Sequence, residues 1–186
     1  ASQTMTIAQG LYMGVDINKE TIALITYMRT DSITLSKDSI SSIRENIEKD
    51  YGLKYLPKDA IEYKSKKKNA QEAHEAIRPT NMQVENIEGD ESKLYNLIWR
   101  RTVASQMADA QSEITTIKII GDEVSDSSKF FTCKGEVIKF KGFLEVDPID
   151  SKNSDILPKV EENQNLNLDF ITSRQKFKKA KGRYNE

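Results

Sequence analysis

Near Asp109 the spacing of apolar residues changes period, and no other feature constrains the fold as much. Before that point apolar residues recur at helical spacing. After it, short runs of β-branched and aromatic residues alternate with glycines and polar stretches. A chain divided in this way is α+β. The expected layout is a mainly helical lobe over residues 1–109, an antiparallel β segment over 110–173, and a basic stub at 174–186 that leads into a further element. No internal repeat interrupts this division.

In the first half, Met5, Ala8, Leu11 and Tyr12 form one stripe of a helix from Ser2 to Met13, which Gly14 stops. Residues 15–21 read as a polar turn, and Ile22–Met28 is an apolar run too short to assign. Ser36 is the expected N-cap of a helix ending at Tyr51, with Ile40, Ile43, Ile47 and Tyr51 inward and Gly52 as the stop. Ala70–Ile77 reads as a short helix closed by Arg78-Pro79. Asp90 caps the longest helix, to about Met107; its two apolar faces, Leu94/Leu97/Ile98/Ala104 and Tyr95/Trp99/Val103, imply packing on both sides. The expected strands are Ile114–Ile120, Lys129–Cys133, Val137–Phe140 and Leu166–Ile171.

Composition excludes more than it assigns. With 37% hydrophobic and 31% charged residues, the 186-residue chain reads as soluble and long enough to bury a core. It has no apolar run near the roughly 18 residues of a membrane span. A single cysteine, Cys133, excludes an intramolecular disulfide, and a single histidine leaves no Cys/His metal set; a reducing cytoplasm is the natural compartment. The first residues carry no initiator Met and no signal pattern, so the chain is expected to begin inside a larger polypeptide. Net charge is −1, which does not mark a nucleic-acid binder. Two basic clusters stand out, Lys64/Lys66/Lys67/Lys68 and the residues Arg174, Lys176, Lys178, Lys179, Lys181 and Arg183. Such clusters neutralise phosphates in some proteins and are solvated surface in most.

The block Ile25-Thr26-Tyr27-Met28-Arg29-Thr30-Asp31-Ser32 carries the most specific chemistry. Most tyrosines are packing residues with a satisfied hydroxyl. A phenolic oxygen is nevertheless able to attack a phosphodiester and form a covalent intermediate. With an ordinary pKa of about 10, it needs cationic neighbours or a proton acceptor near neutrality. An arginine nearby offers parallel donors to phosphate oxygens as their charge shifts.

This block resembles the active-site signature of type IA DNA topoisomerases. Gln71-Glu72-Ala73-His74-Glu75-Ala76-Ile77-Arg78-Pro79-Thr80 looks like a second fingerprint of that family, and Leu94–Arg101 followed by Val103–Met107 is similar to its long helix. The three strings occur in the family's order, and Met28 after the tyrosine resembles the bacterial topoisomerase I branch. Topoisomerase III and reverse gyrase branches more often carry another residue there, frequently proline.

The resemblance implies that Tyr27 is the nucleophile taking the 5′ phosphate of a broken strand and that Arg29 holds the scissile phosphate. Thr26, Thr30 and Asp31 would support the pair, Gln9 would lie at another polar position of the site, and His74 would contact DNA. Arg78 has two roles open, a backbone-phosphate contact or an anchor for the Pro79 turn. Trp99 reads as core, not as a base-stacking platform. Where the family usually has glutamate after Leu11-Tyr12, this chain has Met13, so that carboxylate is missing or replaced by Asp16 or Glu20. No metal ligand is assigned within the chain. Type IA enzymes hold Mg²⁺ on the acids of a separate toprim domain, expected N-terminal to Ala1. The implied activity is relaxation of negatively supercoiled DNA without ATP, with single-stranded DNA at the cleavage point. The competing readings are a non-enzymatic DNA-binding module, a domain without a DNA role, and a piece of a topoisomerase III-type enzyme.

Overall fold

The computed structural model describes residues 2–17, 19–63, 74–84, 87–121, 130–148 and 157–178. The chain forms two compact units, Ala1–Ile156 and Leu157–Glu186. The fold of the first is α+β, with three α-helices and two antiparallel two-stranded sheets among the described residues. No helix among these residues is long and apolar enough to cross a membrane.

Helix α1, Ser2–Met13, turns Ala8 and Leu11 into the core; Met5 and Tyr12, on the same apolar stripe, remain 40% exposed. Gly14, at φ 123°, reverses the chain into a hairpin of β1 (Val15–Ile17) and β2 (Glu20–Ile22). The expected polar turn at 15–21 is therefore a short hairpin, held by three residue pairs and by Thr21 Oγ1 donating to Asp16 Oδ1 at 2.5 Å. Helix α2, Lys37–Tyr51, starts where Ser36 Oγ accepts from the Ser39 N–H and ends at Gly52, φ 87°. Its Ile43 and Ile47 are buried, as their spacing predicts.

The expected helix at 70–77 is not formed over its described part. Residues 74–77 have no helical pairing, and the Ala76 N–H instead donates to the Thr34 carbonyl at 2.8 Å; residues 70–73 lie outside the described residues. Helix α3 spans Gly89–Ala104; its N-cap position is Glu88, whose side chain makes no capping bond, and the expected cap Asp90 lies in the first turn and pairs with Lys93. Its deep face carries Tyr95 and Val103, while Leu97 is 46% exposed.

Two buried clusters meet across Trp99. One joins α1, the hairpin and residues 24–28 to Tyr95; the other joins α2 to Val103, Met107 and Val146. Trp99 packs against both and donates its indole N–H to the Met82 carbonyl at 3.1 Å, consistent with the core role its spacing predicts.

After α3, β3 (Gln111–Ile119) and β4 (Phe131–Phe140) pair antiparallel, with a register shift between Gln111 and Ser112. The two strands expected at 129–133 and 137–140 are one over their described part, and Lys129 lies outside the described residues. Gly135 pairs opposite Thr115, within the regular part of the ladder from Ser112 to Ile119, and continues the strand instead of ending it. The ribbon's foot is fixed to the helical part: Phe143 N–H bonds the Ala108 carbonyl (2.9 Å), Ala108 N–H bonds the Tyr55 carbonyl (2.8 Å), and Arg101 pairs with Asp147 (2.8 Å). At Gly142, φ 50°, a Cβ would collide with the backbone of Ala108 and Asp109, so a side chain there would displace the foot.

In the second unit the described residues 157–178 hold a turn at 161–164 and no strand. The strand expected at Leu166–Ile171 is absent there: no backbone ladder pairs it, and Leu168 and Phe170 stand 71% and 78% exposed. The lysine cluster at 64–68 and the basic residues from 179 onward lie outside the described residues.

Candidate active site

The segment from Ala23 to Thr26 takes its shape from its two flanks. On one side the Leu24 N–H donates to the Leu11 carbonyl at the end of α1, at 2.8 Å. On the other, Thr26 N–H donates to the Arg78 carbonyl (2.9 Å), Thr80 N–H to the Leu24 carbonyl (3.0 Å), and Thr80 Oγ1 to the Ala23 carbonyl (2.6 Å). Ile25 pairs with Pro79 as an isolated antiparallel bridge. Leu24 and Ile25 are essentially sealed in the core and Met28 is 8% exposed. Between these anchors Tyr27 is turned outward, 38% exposed. Apolar residues on both sides of it provide the burial that holds an exposed ring in a fixed place.

Thr26 reinforces this clamp. Its hydroxyl donates to the Ala76 carbonyl at 2.7 Å and accepts from the Arg78 N–H at 3.0 Å, joining the backbone beside Tyr27 to the segment that carries His74. The His74 ring lies 5.7 Å from the Tyr27 ring at 48°, and the Tyr12 ring lies 5.4 Å away on an edge-to-face geometry of 65°. The nucleophile candidate thus has two aromatic neighbours among the described residues.

Arg78 is engaged by protein acceptors. Its Nε and Nη2 bond Glu75 Oε2 at 3.1 and 2.7 Å, and Nη1 bonds the Pro79 carbonyl at 2.9 Å. Of the two roles left open for it, these contacts favour the anchor of the Pro79 turn. The other Glu75 oxygen accepts from the Ser36 N–H at 2.8 Å, so one carboxylate ties residues 75–79 to the start of α2. Partial burial raises the Glu75 pKa, but hydrogen bonds from Ser36 and Arg78 together with the Arg78 charge outweigh it and hold the carboxyl below its usual value.

Beyond Tyr27 the chain leaves the clamp. Arg29 is exposed and, among the described residues, makes no ion pair. Thr30 Oγ1 accepts from the Ser32 N–H at 3.0 Å, and Ser32 Oγ from the Thr34 N–H at 3.2 Å; these two local turns shape the loop that also carries the exposed Asp31. Gln9 is exposed on α1, its amide 3.7 Å from the sulfur of Met13, which is 70% exposed. Asp16 faces Thr21 within the hairpin. Among the described residues no three His, Cys, Asp or Glu side chains gather into a metal-holding group.

The folded chain therefore brings Tyr27, Thr26 and His74 together, links Arg78 to them through backbone, leaves Gln9, Arg29 and Asp31 exposed, and half-buries Thr30 in the loop after Tyr27. Sequence reasoning missed Tyr12, read as part of the core stripe; Thr80, whose two bonds clamp Ala23 and Leu24; and Glu75, whose spacing of three before Arg78 was the available signal.

The exposed Tyr27 thus stands on this clamp, preceded by Ile-Thr and followed by Met-Arg-Thr-Asp-Ser. The family model described as DNA topoisomerase matches residues 1–186, and the chain belongs to that family, on the bacterial type IA topoisomerase I branch. The DNA topoisomerase 1 of Rickettsia bellii is 46% identical over 199 residues, covering 100% of this chain and 24% of the relative. That of Helicobacter pylori is 39% identical over 191 residues, covering 100% of this chain and 25% of the relative. The full-length topoisomerase I from Thermotoga maritima superposes with a TM-score of 0.70 at 34% identity, over 86% of this chain and 25% of that one. The chain thus spans about a quarter of the length of these relatives.

Proposed function

We propose that this chain is the part of a bacterial type IA topoisomerase that carries the strand-cleaving nucleophile, Tyr27. The observation that carries the reading is an outward-facing phenol on a segment clamped from both sides, with His74 beside it and a cation two residues on. In the whole enzyme the Tyr27 oxygen attacks the phosphorus of a single-stranded segment. The O–P bond forms, the P–O3′ bond breaks, the phenolic proton is lost and the leaving O3′ takes one up. The 5′-phosphotyrosine retains the free energy of the phosphodiester, so the 3′ hydroxyl reverses the step without ATP. Arg29 is assigned to the scissile phosphate, where a guanidinium stabilises developing charge. His74 is assigned to DNA next to the cleavage point, and Thr26, Thr30, Asp31, Gln9 and Arg78 to support.

Near Tyr27 and His74 in the chain stand rings, hydroxyls, guanidinium groups and two carboxylates, Asp31 and Glu75. Glu75 is engaged by Ser36 and Arg78, and no three potential ligands gather among the described residues, a set poorly suited to holding Mg²⁺. We assign that ion to a toprim domain elsewhere in the whole protein and route no step through it. In the same reading, residues 1–109 form the gate-like lobe, 110–173 the hinge support and 174–186 the entry to another domain, acting in the bacterial cytoplasm on negatively supercoiled DNA. Lobes that move about a hinge convert local chemistry into strand passage. The test is Tyr27→Phe in the full-length protein: relaxation and covalent complex are expected to vanish while DNA affinity stays within about twofold. Unchanged cleavage would favour the DNA-binding-module reading instead.

A further inference from the structure

The geometry points to Tyr12 as a positioning residue for the nucleophile, an inference that rests on the function proposed for Tyr27. Tyr12 lies in the last turn of α1, whose rotation is fixed by buried Ala8 and Leu11. That rotation leaves Tyr12 40% exposed, outside the sealed core that Ala8 and Leu11 enter. Its hydroxyl makes no hydrogen bond among the described residues. What the ring does contact is Tyr27, edge-to-face at 5.4 Å.

The two rings share one rigid frame. Leu11, the residue before Tyr12, accepts the N–H of Leu24, three residues before Tyr27. A phenol on an exposed stem otherwise samples several rotamers, and each jump carries the reacting oxygen ångströms from its target. An edge-to-face partner on one side and His74 on the other narrow that choice. A contact of this kind biases a population by about two- to thirteenfold. The phenol occupies the same frame before cleavage and as the phosphotyrosine, so Tyr12 speeds attack and its reversal alike. The position of the cleavage equilibrium does not move.

The experiment uses the full-length protein with Tyr12→Leu and Tyr12→Phe, a single-stranded oligonucleotide, and single-turnover formation and reversal of the covalent complex. Tyr12→Leu is expected to slow both directions about tenfold. The final covalent fraction, and the DNA affinity measured in a Tyr27→Phe background, should stay within about twofold, and Tyr12→Phe should match the parent, since the ring and not the hydroxyl makes the contact. Wild-type rates in Tyr12→Leu would overturn the inference while leaving the role of Tyr27 intact. So would equal slowing by Tyr12→Phe, lost DNA affinity, or a smaller covalent fraction at an unchanged rate, the mark of partial misfolding. A covalent adduct in Tyr27→Phe itself would overturn both readings together.

Discussion

At the scale of single residues, the site separates groups that face outward from groups that hold the backbone. Tyr27 and Arg29 are exposed; Thr26, Glu75 and Arg78 hydrogen-bond to protein. Arg29 is therefore available to substrate, and Arg29→Ala in the full-length protein should lower the cleavage rate about 100-fold with little change in fold stability. Single-turnover cleavage and a melting curve measure the two effects; cleavage within a fewfold of the parent would remove Arg29 from the mechanism. Glu75 behaves differently. Its carboxyl is held below its usual value, so the stabilisation it contributes is present above the ordinary carboxylate range and is lost as pH falls through the lowered folded-state value. Glu75→Gln should cost about 1–2 kcal/mol at pH 7. That deficit should close as the parent titrates in acid, which denaturant melts across pH would follow.

At the scale of elements, local signals and long-range pairing divided what was legible. Helices α1 and α2 could be read because their stops and cap are local: Gly14, Ser36 and Gly52 act within a turn of themselves. The merged β4 could not, since Gly135 reads as punctuation until β3 lies opposite it. Residues 74–77 have a helix-compatible composition, yet the Ala76 N–H pairs with Thr34, and Thr26, fifty residues away, bonds the Ala76 carbonyl. The same holds for the site. Tyr27 and Arg29 were legible as chemistry in one string, whereas the clamp depends on strand-like bonds to 76–80, and Tyr12 on how α1 is rotated. The β1–β2 hairpin offers a test at this scale. A Cβ on Gly14 would lie 2.6 Å from Thr21 Cγ2, at a φ of 123° that side chains rarely adopt. Gly14→Ala is expected to destabilise the fold by about 1–3 kcal/mol; a melting temperature equal to the parent's would show that the hairpin tolerates the strain.

At the scale of the whole molecule, the proposed function makes this chain the carrier of the nucleophile and its scaffold, with the metal and the remaining DNA contacts in other parts of the full-length protein. The chain by itself, incubated with Mg²⁺ and negatively supercoiled plasmid, is expected neither to nick nor to relax it; clear relaxation at stoichiometric protein would show that the site is already sufficient. The most direct test of the central claim is to trap full-length protein on a single-stranded oligonucleotide labelled on the 3′ side of the cleavage point, digest with protease, and sequence the labelled peptide. The account predicts a single adduct, a 5′ phosphate on the oxygen of Tyr27. A label on any other residue, or the same adduct yield from Tyr27→Phe, would contradict it.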